Sequence, residues 1–94
     1  MPQDDAEGVR WYRLAADQGT AFAQNNLGFT FANGRGVPQN YVPAHVWYNI
    51  SGANGYEDAV IFRDDLVTRM TREQVADAQE RARVCMGSGY QSCD

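Results

Sequence analysis

Apolar residues recur along this chain at spacings of three and four, the period of an α-helix with one buried face, and glycines close several of the runs. Gly8, Trp11, Tyr12 and Ala15 mark a first face. Ala23, Leu27 and Phe31, with Phe22 beside them, mark a second, and Ala44, Trp47, Tyr48 and Ser51 a third. Ala59, Phe62, Leu66 and Met70 form a fourth stripe, and Val75, Ala78, Ala82 and Cys85 a fifth. The pattern predicts five helices and an all-α fold. Asp4 or Asp5 caps the first, with Glu7 completing a capping box and acidic residues suiting the positive end of the helix dipole. It runs to about Gln18, where Gly19 supplies the backbone freedom to stop. Thr20 is the expected cap of the second helix, which runs to about Asn33. Asn40 caps the third, which tolerates Pro43 because first-turn N–H groups make no intrahelical bond, and Gly55 ends it. The fourth spans about Tyr56 to Met70, and Thr71 with Gln74 opens the fifth.

The third face repeats the first. An offset of 36 residues places Pro2-Gln3 on Pro38-Gln39, Trp11-Tyr12 on Trp47-Tyr48, Gly19 on Gly55 and Ala23 on Ala59. Leu14/Ile50, Asp4/Asn40 and Gln18/Asn54 are near-matches in the same register. A period of this size signals a solenoid of stacked helical units. The single domain 1–94 then divides into a half repeat (1–19), a complete repeat (20–55), a degenerate capping hairpin (56–86) and a tail (87–94). Gly28, in the middle of the second helix, costs about 1 kcal/mol relative to alanine, so a close helix approach is its expected compensation. Arg63-Asp64 replace Leu27-Gly28 in the last unit, and Thr71 arrives five residues before the period would place a cap. Such departures suit a terminal unit that turns one face to water. Met1 stands where Val37 stands in the complete copy, so the chain begins inside a repeat. Either the natural protein continues upstream or a half unit serves as its cap. The first case leaves the Trp11 side of the first helix uncovered and predicts a weak homo-oligomer through it.

Composition narrows the function. A net charge of -4 without a basic stripe argues against nucleic acid, and no apolar run approaches the ~18 residues of a membrane span. The opening Met1-Pro2-Gln3-Asp4-Asp5 has neither the basic start nor the apolar middle of a signal peptide. His45 is the one histidine and has no ligand at metal spacing, so no metal or cofactor is expected, and no serine has triad partners. Gly34-Arg35-Gly36-Val37 lacks the Lys-Ser/Thr and preceding strand of a phosphate loop. Glu57, Asp58, Asp64 and Asp65 spread around their helix rather than converge. Trp47 and Tyr48 recur at Trp11 and Tyr12, which assigns them to packing at each repeat. What remains is the concave surface of the array, for which Asn25, Asn26, Phe29 and Thr30 are the candidate partner-binding residues. Cys85 and Cys93 enclose seven residues that include Gly87-Ser88-Gly89, enough chain to double back to bridging distance. The alternative is two independent thiols, as in a reducing compartment.

The combination Ala23, Leu27-Gly28, Phe31, Gly34, Gly36-Val37, Ala44, Trp47-Tyr48 and Gly55 resembles the Sel-one-like repeats, relatives of the tetratricopeptide repeat. The offset of 36 and the long loop Gly34 to Asn40 separate it from the tetratricopeptide period of about 34. The stretch from Asp64 through Met70-Thr71-Arg72-Glu73-Gln74 to Ala82 resembles the terminal segment of bacterial members. Departures are Gly8 and Ser51 where alanine is usual, and Arg63-Asp64 for Leu-Gly. The resemblance implies a right-handed α–α superhelix of antiparallel hairpins, used as a non-catalytic scaffold or adaptor that holds a peptide or partner protein. Two other readings stand beside it: a weak hydrolase acting on cell-wall material, and a purely structural C-terminal cap. Secreted relatives that bridge cysteines across a helix-to-helix turn favour the bridge here, and with it a periplasmic or secreted home over a cytoplasmic one.

Overall fold

The computed structural model describes residues 5–93. Five helices follow in order: α1 (Asp5–Asp17), α2 (Ala21–Asn33), α3 (Tyr41–Ala53), α4 (Glu57–Val67) and α5 (Arg72–Gly87). The expected roles of Asp4, Pro2 and Gln3, and of Met1 as the start of a broken repeat, lie outside the described residues. Local chemistry sets most of the boundaries. Asn40 accepts a hydrogen bond from the Val42 N–H at 3.1 Å. Thr71 and Gln74 exchange both bonds of a capping box, at 3.1 and 2.9 Å. Gly34 ends α2 in the left-handed region, at φ 67°, where its N–H reaches back to the Thr30 carbonyl.

Two boundaries differ from expectation. Thr20 occupies the N-cap position of α2, but its side chain makes no capping bond. The residue is exposed, so water can serve the first-turn N–H groups. Helix α4 stops at Val67 rather than Met70. The Thr68 hydroxyl donates to the Asp65 carbonyl at 2.8 Å. The backbone N–H groups of Thr68, Arg69 and Met70 then bond three residues back, the tighter pattern common at helix ends.

Helix α3 is the axis of the molecule. Helices α2, α4 and α5 all pack on it, and α1 packs on α2. Ser51 meets Ala21, Tyr48 meets Gly28, and Tyr48 also meets Phe62, so α2 and α4 both run antiparallel to α3. One core cluster joins Ala16, Ala23, Leu27, Val46, Trp47 and Ile50 to Ala78, Ala82, Cys85 and Cys93. A second joins Ala44, Tyr48, Ala59 and Leu66. Helices α4 and α5, expected as a capping hairpin, each pack on α3 instead of along one another. The small side chains of Ala78 and Ala82, both fully buried, let α5 settle against the Val46–Ile50 side of α3.

Burial also separates the two Trp-Tyr pairs. Trp47 is 2% exposed, with the Arg13 guanidinium 5.2 Å from its ring centre, whereas Trp11 is 61% exposed. On α1 the inward residues are Gly8 and Ala16. Phe22 and Phe62, assigned to buried stripes by spacing, are exposed as well. Both border the groove described next.

Candidate functional site

Because α2 and α4 flank α3 and run in the same direction, a groove opens between them with α3 as its base. Tyr48 forms the floor. Its ring lies against Gly28 of α2 on one side and Phe62 of α4 on the other, the latter with ring centres 5.6 Å apart. Around it Phe29, Ala32 and Asn33 face Phe62, Asp65, Leu66 and Arg69 across a cavity of about 270 Å³. Toward the start of both helices lies a second, wider cavity of about 560 Å³. Ala21, Phe22, Asn54, Gly55, Tyr56, Glu57 and Asp58 line it. Phe22 and Tyr56 stack there, with centres 6.1 Å apart and planes 18° from parallel. Phe22, Phe29 and Phe62 remain 63%, 48% and 45% exposed, so three phenyl rings on the α2 and α4 walls meet water. A grouped exposed apolar surface marks an interaction site, where scattered single residues would not.

The charges are one-sided. Glu57 and Asp58 have no cationic partner among the described residues, while Asp65 is held loosely by Arg69 at 3.7 Å. Arg63 turns away to Asp64 and to the Asn49 amide oxygen, each at 3.0 Å. Burial pushes the Tyr48 phenol up to about 12, so it stays neutral at physiological pH. His45 is 2% exposed, and its Nδ1 is buried without a hydrogen-bond partner. Burial first, and Arg63 second, push its pKa below the usual histidine range, with Asp64 opposing weakly. A sealed imidazole of this kind faces no open cleft. The groove therefore supplies aromatic faces, an apolar floor and carboxylates, which are means of recognition.

Of the four residues proposed from sequence for partner binding, Phe29 lines the groove and Asn26 is half-buried. Asn25 and Thr30 are buried, which corrects their placement on an open face. Helix α2 lies between α1 and α3, so its covered arc is wider than the Ala23–Leu27–Phe31 stripe suggests. The Thr30 hydroxyl is turned inward onto the Leu27 carbonyl at 2.8 Å. Phe22, Tyr56, Phe62, Glu57 and Asp58 were not singled out as a site by sequence. The seven-residue spacings Phe22–Phe29 and Asp58–Asp65, two helical turns each, were the available signal.

The tail reaches the wider cavity through one hydrogen bond to Asn54, which lines it. A disulfide joins Cys85 to Cys93, with Cα atoms 4.3 Å apart. The loop it closes holds Tyr90 in the left-handed region, at φ 68°, with its ring against Gly19. The Asn54 amide donates to the Tyr90 hydroxyl at 2.9 Å and to the Gln24 side-chain oxygen at 2.8 Å. Gln24 is fully buried and donates in turn to the Ala16 carbonyl at 3.0 Å. One chain of hydrogen bonds thus ties α1, α2, α3 and the tail, and Asn54 is both its hub and a wall of the cavity.

Comparison with known proteins adds two findings. The Sel1 repeat model matches residues 1–20 and 21–56. The chain is also 36% identical over 55 residues to the chitin synthase regulator SKT5 of Malassezia restricta. That match takes in 58% of this chain and 4% of the much longer relative. Sel1 repeats are in general helical scaffolds for protein–protein interaction rather than enzymes. The helix–loop–helix of α2 and α3, with Leu27-Gly28 packed on Trp47-Tyr48, and the match over most of its length show that this chain belongs to the Sel1 repeat family.

Proposed function

We propose that the chain is a non-catalytic interaction module that takes an extended segment of a partner protein in the groove between α2 and α4. The observation that carries this reading is that Phe29 and Phe62 flank Tyr48 at the narrower cavity and Phe22 lines the wider one, while all three keep much of their surface in water. Burying such rings against a ligand yields about 25 cal/mol for each Å² removed from water, and aromatic residues are the commonest anchors of protein interfaces. The family's general role as a scaffold supports the reading. The Malassezia relative is named a regulator of chitin synthase. The Cys85–Cys93 bridge favours an oxidising compartment, periplasmic or secreted.

The test is selection of binders from a random peptide display library on the oxidised protein. Selected peptides should lose at least about tenfold in affinity on Phe29→Ser or Phe62→Ser, the scale of a single interface anchor. They should keep their affinity on Trp11→Ser, an exposed residue of α1 that lines neither cavity. Peptides indifferent to both groove substitutions would place the binding surface elsewhere and end the reading.

A further inference from the structure

We infer that the wider cavity of the groove is a subsite for one cationic side chain, Arg or Lys, on a partner segment whose apolar anchor fills the narrower cavity three residues away. The inference rests on the groove reading above and specifies the chemistry of its occupant. Phe22 and Tyr56, whose rings stack on one another, form an aromatic wall of the wider cavity. Aromatic faces attract cations through their negative π surface, and do so more strongly as water is excluded. The lining also carries Glu57 and Asp58, adjacent carboxylates with no cation of their own among the described residues. A charge-assisted hydrogen bond to either is about twice as strong as a neutral one. The Asn54 amide is already engaged, since it spends both donors on Gln24 and Tyr90. The vacant valence of the cavity is therefore negative charge beside π faces.

One effect opposes a cation here. Glu57 and Asp58 lie in the first turn of α4, where the helix contributes roughly half a positive charge. Two full carboxylates outweigh it. The arginines near the groove do not compensate, because Arg63 is turned to Asp64 and Asn49 and Arg69 to Asp65.

The spacing follows from helix geometry. Phe22 to Phe29 on one wall and Asp58 to Asp65 on the other both advance seven residues between the two cavities. At 1.5 Å per residue that is about 10 Å. A chain in the extended polyproline II conformation covers this distance in about three residues, at about 3.1 Å each, and its three-residue turn puts positions i and i+3 on one face. A partner segment therefore presents an aromatic or large aliphatic side chain and a basic one at positions i and i+3, in whichever chain direction the groove accepts.

The experiment uses the oxidised full chain and synthetic peptides taken from the display selection, with binding followed by fluorescence anisotropy. Enriched peptides should carry Arg or Lys three residues from the apolar anchor. Replacing that Arg by citrulline, which keeps the shape and removes the charge, should weaken binding about tenfold. The double variant Glu57→Gln with Asp58→Asn should erase the difference between the Arg and citrulline peptides while leaving the apolar anchor sensitive to Phe29→Ser. Circular dichroism on the double variant checks that α4 is retained. Equal binding of the Arg and citrulline peptides, with sensitivity to Phe29 preserved, would overturn the cation subsite and leave the groove intact. Enriched peptides insensitive to Phe29 and Phe62, or no enrichment at all, would overturn both.

Discussion

Tyr48 rests its ring on Gly28 so closely that a Cβ built on the glycine would stand 2.6 Å from Tyr48 Cδ1, well inside van der Waals contact. The contact fixes the separation of α2 and α3 and sets the height of the groove floor. Two magnitudes compete when Gly28 becomes alanine. Helix propensity gains about 1 kcal/mol, whereas forcing a methyl into a packed contact costs about 1–3 kcal/mol. The ring is buried and flanked by Phe62, so it cannot simply swing aside, and the steric cost should win. Gly28→Ala is expected to destabilise the fold, by up to about 2 kcal/mol, in urea denaturation. Combining it with Tyr48→Leu should recover part of the loss. A neutral or stabilising Gly28→Ala would mean that the contact is soft.

The disulfide yields a second expectation. Its loop is short, with the cysteines eight positions apart, and the chain-entropy model assigns such a closure about 2.5 kcal/mol. Reduction with a dithiol, or Cys85→Ser with Cys93→Ser, should lower stability by roughly that amount. Release of Tyr90 should also free the Asn54 amide, so hydrogen exchange should quicken at the α1–α2 turn as well as in the tail. Exchange that changes only within residues 85–93 would show that the hydrogen-bond chain through Asn54 and Gln24 does not couple them.

How far the sequence could lead is visible in these same residues. Helices, caps and the Trp47-Tyr48 core were legible because each follows from spacing or from a local hydrogen bond: Asn40 to Val42, Thr71 to Gln74. Gly28 was legible as a close approach because a mid-helix glycine needs compensation. The groove was not. Its members come from α2, from the end of α3 and from α4, and helical spacing alone assigned Phe22 and Phe62 to buried faces. Whether such a ring is covered depends on how far apart α2 and α4 sit across α3, a tertiary quantity. The burial of Asn25 and Thr30 has the same origin, since α2 is covered from two directions. The path of α5 was equally non-local: its apolar stripe was readable, but its choice of α3 over α4 was not.

Helix α3 sets limits on stability at both ends of the pH scale. His45 is held below its ordinary pKa of 6.5, so the unfolded chain binds a proton that the folded chain resists. Its contribution is complete above that value and is lost as pH falls beneath it. Tyr48 behaves oppositely. Its phenol is raised from 10.0 to about 12, so stability is complete below 10 and is lost as pH rises toward 12. Urea midpoints measured from pH 4 to 11 should fall at both ends. His45→Gln should flatten the acid limb alone, and Tyr48→Phe the alkaline limb alone. Limbs unchanged by these substitutions would assign the pH dependence to other groups.

The last prediction concerns Trp11 and Leu14, which leave 61% and 63% of their surface in water on the outer side of α1. Trp47, one period later, is 2% exposed because α1, α2 and α5 enclose it. Nothing among the described residues gives Trp11 the corresponding cover. An apolar helix face of this kind gains on the order of 25 cal/mol per Å² when covered, too little from two side chains for a tight dimer. The expectation is therefore weak self-association through α1, absent at micromolar concentration and detectable near millimolar. Light scattering should show the apparent mass rising with concentration, and acrylamide should quench tryptophan emission less as it does so. Trp11→Gln with Leu14→Gln should abolish both changes without altering the fold, since neither side chain is buried. Because α1 lies outside the α2–α4 groove, the same variant should bind groove peptides with unchanged affinity. A strict monomer at millimolar concentration would show that the Trp11 face is tolerated in water, and that its likeness to Trp47 is one of sequence alone.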